Sequence, residues 1–499
     1  MAGRPLRIVI LGGGTAGWMA ANLFALRWPG RAEITVIESA EIGIVGVGEG
    51  STPQLKAFFD QLGIAEAEWM PACNATYKVG IGFRGWSERP GYETYFHPFP
   101  SQLDVHTAPA FMFNTRMRRR REDVWAHPDR FFVPARLAEL RLAPKAAETF
   151  PFEVTYGYHF DAHLIGAYLR DHAAGRGVTR LDRKIVDVAV DEAGSVTHLI
   201  AEGDERIEGD FFVDCSGFRS LIAQQALGVP FLPFGSNLFN DKAVVMPTPT
   251  DADGTDSSTT STALGAGWAW RIPLRNRIGN GYVYSSLYCS SEAAEAELRA
   301  HLGVGEEVSA RHLAMKVGRV ENSWTSNCLA VGLSQGFIEP LEATALHIVQ
   351  ATVEGFIETF ERGGFTPAHR DEFNRTINAR YEGIRDYIVC HYRANRRADT
   401  AYWRDNAEHD RLSDSLKAIF TCWFTGGDLE EEIARQDIAR YYAPISWHCL
   451  LAGYGNFPAD TSTRPATPAA ARHDMAAIDD FVRRCALNFR GHREIIEQT

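Results

Sequence analysis

Residues 8–17 read Ile-Val-Ile-Leu-Gly-Gly-Gly-Thr-Ala-Gly, in which a short apolar run leads directly into the pattern Gly-x-Gly-x-x-Gly. The apolar run predicts a buried strand over residues 6–11, and the residues after the turn predict a helix from Thr15 to Leu26. In this context the backbone N–H groups of the turn face a pyrophosphate at the helix N-terminus. The residues expected to contact the dinucleotide are Gly12, Gly14, Thr15, Ala16 and Gly17.

A second strand supplies the other part of this motif. Residues 34–37 predict a strand, and Glu38 stands at its end, about twenty residues beyond the glycines. A carboxylate at that place accepts hydrogen bonds from the adenosine ribose hydroxyls and does not tolerate a 2′-phosphate. We therefore predict a Rossmann-like α/β fold that opens with a βαβ unit and a parallel sheet, and FAD or NAD rather than NADP as its ligand.

Further glycine turns favour FAD over NAD, because an elongated dinucleotide needs several close approaches of the backbone. Residues 211–213 predict a strand that leads into Asp214 and Gly217. Another short strand precedes Gly332 and Leu333, which come before a helix of regular apolar spacing. These four residues are candidate cofactor contacts.

The segment 46–53, Gly-Val-Gly-Glu-Gly-Ser-Thr-Pro, predicts a flexible strap rather than regular secondary structure. A strap over a flavin would use Val47, Gly48 and Glu49 as contacts. A plain surface loop is the alternative.

The rest of the chain predicts a cofactor lobe that is discontinuous in sequence and a helical lobe after it. We expect an FAD-binding lobe with inserted substrate-facing segments over residues 1–365 and a mainly helical substrate lobe over residues 366–499. Residues 249–266 are rich in Thr, Ser, Asp and Gly and predict an exposed loop. A final helix is expected near residues 474–497.

Composition excludes several classes of function. The chain has 499 residues, 45% of them hydrophobic, and a net charge of −12, which argues against a nucleic-acid surface. The one basic run, residues 118–121, predicts a solvated helix face. Eight cysteines without a Cys-x-x-Cys pair signal neither a zinc site nor a disulfide framework. The apolar run near the N-terminus is too short for a signal peptide or a membrane span, so we expect a cytoplasmic protein.

Two tryptophans mark a further strand. Residues 267–273 read Gly-Trp-Ala-Trp-Arg-Ile-Pro, and the alternation of side chains along a strand puts Trp268 and Trp270 on one face. Such paired indoles form a rigid wall. Core packing is the alternative for this pair taken alone.

The Trp-x-Trp-x-Ile-Pro pattern over Trp268, Trp270, Ile272 and Pro273, together with the N-terminal glycine motif, resembles the signature pair of the flavin-dependent tryptophan halogenases. Three further stretches resemble segments of that family in the same order. They are Tyr77–Phe83 with Lys78, Asp214–Ser220, and Glu339–Thr344 with Glu342. The matches run from residue 8 to residue 345.

The resemblance implies an enzyme that uses FADH2, O2 and chloride or bromide to form hypohalous acid and to halogenate an electron-rich aromatic ring. It implies that Lys78 hydrogen-bonds the hypohalous acid or becomes a haloamine, and that Glu342 polarises this group and stabilises or deprotonates the cationic ring. The halide would bind at Thr344 and Ala345, at the N-terminus of a predicted helix. The family usually has glycine at position 345, and a left-handed conformation there would suit alanine less well.

The resemblance also points to substrate contacts. His97 and Phe99 match the family's aromatic-stacking segment, and Trp447 would stack on an indole. The region around residues 441–447 is shorter than the family's substrate-closing region and lacks the acid expected to meet an ammonium group. We therefore expect indole, a substituted indole or a larger aromatic molecule as the substrate, rather than free tryptophan. Whether this substrate is a free molecule or is bound to a carrier stays open.

Two other readings stay open at this stage. An FAD-dependent aromatic monooxygenase would share the nucleotide lobe, and a carrier or chaperone built on a flavin fold would lack redox chemistry. No nicotinamide site is evident, so a separate flavin reductase is implied as the source of FADH2. No nucleic acid or membrane partner is expected, and a homodimer is among the alternatives for the assembly.

Overall fold

A computed structural model describes residues 4–41 and 48–499 of the chain. The chain forms two compact units. Unit 1 groups the residues up to 75 with residues 160–235 and 315–382, and unit 2 groups residues 76–159, 236–314 and 383–499. These units are defined by compactness, and the functional lobes expected over residues 1–365 and 366–499 stay a prediction.

The first half of the chain contributes these strands: β1 (Leu6–Leu11), β2 (Ala32–Glu38), β3 (Gly48–Gly50), β4 (Thr76–Lys78), β5 (Gly80–Arg84), β6 (Thr94–Pro98), β7 (Glu122–Asp123), β8 (Leu142–Ala146), β9 (Gly157–Asp161), β10 (Thr179–Asp182), β11 (Ile185–Val190), β12 (Val196–Ala201) and β13 (Arg206–Glu208). The remaining strands are β14 (Phe211–Asp214), β15 (Phe231–Pro233), β16 (Lys242–Thr248), β17 (Thr259–Leu264), β18 (Gly267–Pro273), β19 (Ile278–Tyr284), β20 (Arg311–Ala314), β21 (Gly318–Val320), β22 (Trp324–Thr325), β23 (Cys328–Ala330), β24 (Gly336–Phe337), β25 (Arg464–Pro465) and β26 (Phe489–Gly491).

The helices are α1 (Thr15–Arg27), α2 (Gln54–Leu62), α3 (Glu66–Ala72), α4 (Ala108–Arg119), α5 (Val133–Glu139), α6 (Ala162–Gly175), α7 (Ser291–Leu302), α8 (Ala345–Arg362), α9 (Arg370–Ala394), α10 (Ala401–Glu408), α11 (Asp414–Thr425), α12 (Leu429–Gln436), α13 (Pro444–Gly453), α14 (Met475–Ala486) and α15 (His492–Gln498). None of the helices in the described part of the chain is long and apolar enough to cross a membrane.

Unit 1 is built on a six-stranded sheet in the order β10-β2-β1-β14-β23-β22. β22 pairs antiparallel with β23, and the other neighbouring pairs are parallel. Ile10 at the centre pairs with Val36 on one side and Val213 on the other, and all three are buried. Central strands covered on both faces need apolar side chains on both faces, which explains their continuous apolar runs. The predicted βαβ opening and the α/β fold class are confirmed.

The first turn of this sheet can be formed only with glycine at two positions. Gly12 has a φ of +120°, and a Cβ there would collide with the carbonyl oxygen of Cys215 at the end of β14. A Cβ on Gly17 would collide with the carbonyl oxygen of Gly12. The glycines thus let α1 start directly against the carboxyl ends of β1 and β14.

Unit 2 is built on a seven-stranded sheet in the order β20-β16-β19-β18-β17-β5-β6. Its neighbours pair antiparallel, apart from β17 and β5, which are parallel. β17 comes from the Thr- and Ser-rich stretch that predicted an exposed loop, and that prediction is wrong from Thr255 onward. Thr255, Ser257 and Thr259 are buried. Their hydroxyl-rich composition suggested a turn, but β-branched Thr also suits a strand when its hydroxyl finds a partner.

The single final helix expected over residues 474–497 is two helices, α14 and α15, with the short strand β26 between them. β26 pairs antiparallel with β8, from a distant part of the chain. The helical spacing of apolar residues continues across this break, so only the pairing with β8 distinguishes strand from helix.

The basic run 118–121 is solvated only in part: Arg120 and Arg121 are exposed and lie beyond α4, which ends at Arg119. Arg119 is buried, and its guanidinium donates to the carbonyl oxygens of Trp423 (2.8 Å), Cys422 (2.6 Å) and Gly427 (2.9 Å), with Trp423's ring 4.6 Å away. Burial lowers the pKa of this guanidinium. The C-terminal end of a helix carries partial negative charge, so Arg119 stabilises the end of α11.

Candidate functional site

The N-terminus of α1 has the features of an anion site. Gly14 is its N-cap and provides no side-chain cap, while the Thr15 hydroxyl is directed to the carbonyl oxygen of Ala162 at 3.3 Å. The first-turn N–H groups are therefore left without a capping side chain, as a bound pyrophosphate requires. Gly332 lies against the same turn, since a Cβ added to it would be 2.8 Å from the Cβ of Ala16.

Glu38 lies beside the glycine turn. A Cβ added to Gly13 would collide with Oε2 of Glu38, so the carboxylate covers that residue directly. Oε2 accepts from the indole N–H of Trp18 at 3.3 Å, and Oε1 forms an ion pair with Arg180. The carboxylate keeps 17% of its side-chain surface exposed. These residues fit the ribose end of an adenine dinucleotide. Sequence reasoning found Glu38 but missed Trp18 and Arg180, which carry no motif.

Asp214 is fully buried and is surrounded by protein donors. Its Oδ1 accepts from the backbone N–H of Ser216 (3.0 Å) and the hydroxyl of Ser334 (3.0 Å). Its Oδ2 accepts from the N–H groups of Ile222 (2.9 Å) and Ala223 (2.8 Å). The side chain thus holds the turns in which the two candidate glycines, 217 and 332, lie, and a contact between Asp214 and the cofactor stays a prediction.

The segment that leads into α8 brings the candidate catalytic carboxylate and the candidate halide residues into one short stretch. Glu342 ends a 3-10 turn that starts at Pro340, and it is buried. Thr344 is the N-cap of α8 without a side-chain cap, and Ala345 is the first helical residue. The left-handed residue is Ala343, with a φ of 54°. Alanine at 345 therefore needs no unusual backbone, and the strain lies two residues earlier.

The strap residues are described in part. Val47 lies outside the described residues, while Gly48 and Glu49 belong to β3. Glu49 is half-buried. Its pKa is raised to about 7, mainly by burial and to a smaller extent by the negative charge of the nearby Asp161 carboxylate. A carboxyl group at such a pKa exchanges its proton near neutral pH. Leu333 lies in the 3-10 turn that starts at Gly332.

In unit 2, Lys78 ends β4 and is fully buried. Its ammonium lies 5.4 Å from the centroid of the Phe99 ring, a cation–π distance. The next residue, Val79, fixes the backbone through two hydrogen bonds. Its N–H donates to the carbonyl of Ser257 at 2.8 Å, and its carbonyl accepts from the N–H of Phe99 at 3.0 Å. Two residues that sequence reasoning singled out separately are therefore in contact.

An aromatic cluster joins His97, Tyr387, Tyr442 and Trp447. The Tyr387 hydroxyl lies 3.5 Å from Nε2 of His97, and the Tyr387 ring stacks on Tyr442 with centroids 3.5 Å apart. Trp447 meets Tyr387 edge to face at 4.9 Å and is buried. Tyr387 was missed from the sequence, because an aromatic residue at helical spacing in α9 predicts core packing.

Trp268 and Trp270 are neighbours on β18, with ring centroids 6.2 Å apart. Both are buried, and Ile272 and Pro273 continue the strand. Trp270 covers Gly281 on β19, where a Cβ would collide with the indole ring. The two indoles lie side by side, as the alternation of side chains along a strand predicts, and their role as a wall between flavin and substrate stays a prediction.

The parallel sheet of unit 1, its glycine turn and the carboxylate beside it are typical of dinucleotide-binding proteins of the α/β class. Residues 7–470 match the family described as tryptophan halogenase. A 7-chloro-L-tryptophan 6-halogenase of Kutzneria sp. (strain 744) is 37% identical over 511 residues, covering 95% of each chain. The crystal structure of a tryptophan 6-halogenase from Streptomyces toxytricini superposes with a TM-score of 0.86 at 33% identity and covers 100% of both chains. The solved structure of a flavin-dependent halogenase from Brevundimonas sp. BAL3 gives a TM-score of 0.84 at 31% identity and covers 99% of both chains.

The chain belongs to the tryptophan halogenase family, and it is a flavin-dependent halogenase. The comparisons do not favour the aromatic monooxygenase that shares its nucleotide lobe, and the related proteins named above are enzymes rather than carriers.

Proposed function

We propose that this chain uses FADH2, O2 and chloride or bromide to halogenate a neutral, indole-type aromatic compound, with Lys78 as the group that carries the halogen. The observation that supports it most is a fully buried lysine whose ammonium lies 5.4 Å from an aromatic ring, in a chain of this family. An ammonium kept from water can hold an oxidant that would otherwise escape.

The described residues of unit 1 fit FAD. The N–H groups of Gly14 to Gly17 would bind the pyrophosphate and Glu38 the ribose, while Gly48, Glu49, Gly217, Gly332 and Leu333 would line the rest. Asp214 would act indirectly, by holding the turns of two of these residues. When bound, reduced flavin would give two electrons to O2 and halide would give two more, so that one oxygen atom ends in hypohalous acid and the other in water. A separate flavin reductase would provide it.

The chain's own groups would then direct the halogen. Lys78 would hydrogen-bond the hypohalous acid, or its neutral amine would take up the halogen with release of water. Glu342 would stabilise the cationic ring and accept the proton that the halogen displaces. The N–H groups at Thr344 and Ala345, where α8 begins without a side-chain cap, suit a halide ion because a helix N-terminus carries partial positive charge.

The substrate class rests on aromatic surface without a matching carboxylate. His97, Phe99 and Trp447 would contact the ring, and Trp268, Trp270, Ile272 and Pro273 would separate flavin from substrate. Residues 441–455 contain no Asp or Glu. A buried ammonium without a partner costs several kcal/mol, so a neutral indole is favoured over free tryptophan.

The proposal is tested by turnover of the purified protein with FADH2, indole and bromide in air, analysed by mass spectrometry after anaerobic FADH2 binding has been measured. We expect a brominated indole from the wild type and none from Lys78→Ala, with FADH2 affinity within about twofold, because the ammonium acts on the oxidant and not on the cofactor.

Lys417→Ala, at an exposed lysine of the same unit, is the matched control and should brominate at the wild-type rate. Substantial brominated product from Lys78→Ala would refute the assigned role. A hydroxylated product from the wild type would refute the reaction itself.

A further inference from the structure

Two residues of the strand that carries Lys78, and the residue that follows this strand, are held by one segment of unit 2. Thr76 and Tyr77 reach residues 255–259 through two histidines, and Val79 reaches the segment directly. The histidines are His159, on β9, and His492, the first residue of α15. We call His159, His492 and residues 255–259 the β4 clamp.

The hydrogen bonds of Thr76 decide the tautomer of His159. The Thr76 hydroxyl has one proton, which it donates to the carbonyl of Pro273 at 2.7 Å. It must therefore accept from Nδ1–H of His159 at 3.1 Å. Nε2 of a neutral ring is then an acceptor, and the hydroxyl of Thr259 lies 2.9 Å from it. His159 is fully buried in this neutral form.

His492 is fixed in the same way. The backbone N–H of Tyr77 donates to its Nε2 at 3.0 Å, so this nitrogen carries no proton. Its Nδ1–H donates to the carbonyl of Thr255 at 3.1 Å. This ring is also fully buried. Burial lowers the pKa of both histidines, and the nearby Lys78 ammonium lowers that of His159 further.

Two neutral imidazole rings thus bond to the adjacent residues Thr76 and Tyr77 of β4. Each ring uses one nitrogen as donor and the other as acceptor, so the end of β4 has little freedom to move. The Val79 N–H bond to Ser257, at 2.8 Å, fixes the residue after Lys78 as well. A lysine side chain has four rotatable bonds, so the position of its ammonium depends on a fixed backbone. Misplacement of a reacting group by about 1 Å costs about a hundredfold in rate.

We propose that His159 and His492 are positioning residues for Lys78, holding its strand so that the ammonium delivers the halogen to the ring. This inference rests on the proposed role of Lys78. It gives the C-terminal helix α15 a part in the reaction, through its first residue. A purely structural role would destabilise the fold without changing how Lys78 itself reacts.

The kinetic test compares His159→Leu and His492→Leu with the corresponding Gln variants. Leu removes both hydrogen bonds, whereas Gln offers one acceptor and one donor in a neutral side chain. We expect the Leu variants to lose about tenfold or more in kcat for indole bromination with KM changed by less than about twofold, and the Gln variants to recover most of the loss. His301→Gln, at an exposed histidine of the same unit, should match the wild type.

The second measurement does not depend on halogenation. Brief treatment with an amine-acylating reagent, followed by peptide mass spectrometry, gives the rate of modification at Lys78 relative to exposed Lys417. We expect slow modification of Lys78 in the wild type and faster modification in the Leu variants, with Lys417 unchanged. Thr259→Val, which removes only the hydroxyl bonded to His159, serves where a Leu variant does not fold and should give an intermediate rate.

Wild-type kcat and wild-type labelling of Lys78 in the folded variants would overturn the proposal. Labelling that rises equally at Lys78 and Lys417 would also overturn it, because it reports general unfolding. A Lys78→Ala protein that halogenates normally would remove the proposed function while leaving the labelling result intact, so the two failures are distinguishable.

Discussion

The hydroxyl of Ser334 lies 3.0 Å from Oδ1 of Asp214, a residue 120 positions earlier in the chain. The same hydroxyl lies 3.0 Å from the carbonyl oxygen of Gly217. This contact joins the turn after β14 to the turn after β23, and both strands belong to the parallel sheet. The carboxyl ends of such strands form the usual nucleotide site. The Ser334–Asp214 hydrogen bond therefore supports the two turns of the candidate site.

We predict that Ser334→Ala weakens FAD binding several-fold while lowering the free energy of unfolding by only about 1 kcal/mol, the usual contribution of one hydrogen bond. Asp214→Asn should cost about 3 kcal/mol, because its amide N–H2 would face donors that now share a carboxylate. Fluorescence titration with FAD and urea unfolding measure both. Thr197→Ala, at an exposed position of β12, is the control. Unchanged FAD affinity in Ser334→Ala would show that the Ser334–Asp214 hydrogen bond plays no part in FAD binding.

Glu38→Ala should weaken FAD binding about tenfold, since a hydrogen bond to a charged group contributes about 1.5–3 kcal/mol. Its turnover at saturating FADH2 should stay near that of the wild type. Arg180→Ala separates two explanations, because it removes the ion-pair partner and keeps the carboxylate. Equal weakening in both variants would mean that the ion pair, and not a ribose contact, supports the site.

Indole should be halogenated with a higher kcat/KM than free tryptophan, measured at equal FADH2 with either halide. The reason is the absence of an acidic residue from 441–455, where an ammonium would need one. Tryptamine and 3-indolepropionate separate the effect of the ammonium from that of side-chain size, and tryptamine should be the poorer of the two. Clear preference for tryptophan would show that another segment supplies the ammonium partner.

Stability should fall on acidification partly through His492. Its pKa, about 4 in the fold because of burial, is 6.5 in the unfolded chain, so the unfolded chain binds the extra proton between these values. The contribution to the free energy of unfolding is complete above pH 6.5 and is lost as pH falls towards 4, by about 3 kcal/mol in all. His159, whose pKa is also lowered, acts in the same direction.

Denaturant unfolding of wild type and His492→Gln at about pH 7.5 and about pH 5 measures this contribution. The variant should lose less stability between the two. Glu49 has a raised pKa of about 7 and works in the opposite direction, stabilising the fold as pH falls. That effect is present in both proteins and cancels in the difference. An equal loss of unfolding free energy in the two proteins would show that His492 does not contribute to the fall in stability on acidification.

The sequence was most informative where one contiguous stretch contains both the structural signal and the chemical one. The strand, glycine turn and helix over residues 6–27 and the carboxylate at Glu38 all lie within one βαβ opening. Trp268 and Trp270 share a face because alternation along a strand is local. Composition misled where tertiary pairing decides, as at β17, whose Thr and Ser residues are buried between β5 and β18.

The sequence by itself thus determined the nucleotide fold, the family and the candidate site residues, because these depend on spacing within short segments. Only the tertiary structure decided what holds Lys78. Tyr77 and His492 are 415 residues apart, and Thr76 and His159 are 83 apart. A hydrogen bond across such distances forms only when separate strands and helix α15 are packed together. No local sequence pattern therefore reveals the role of either histidine. The same packing excludes water from both rings and keeps them neutral beside a cationic lysine.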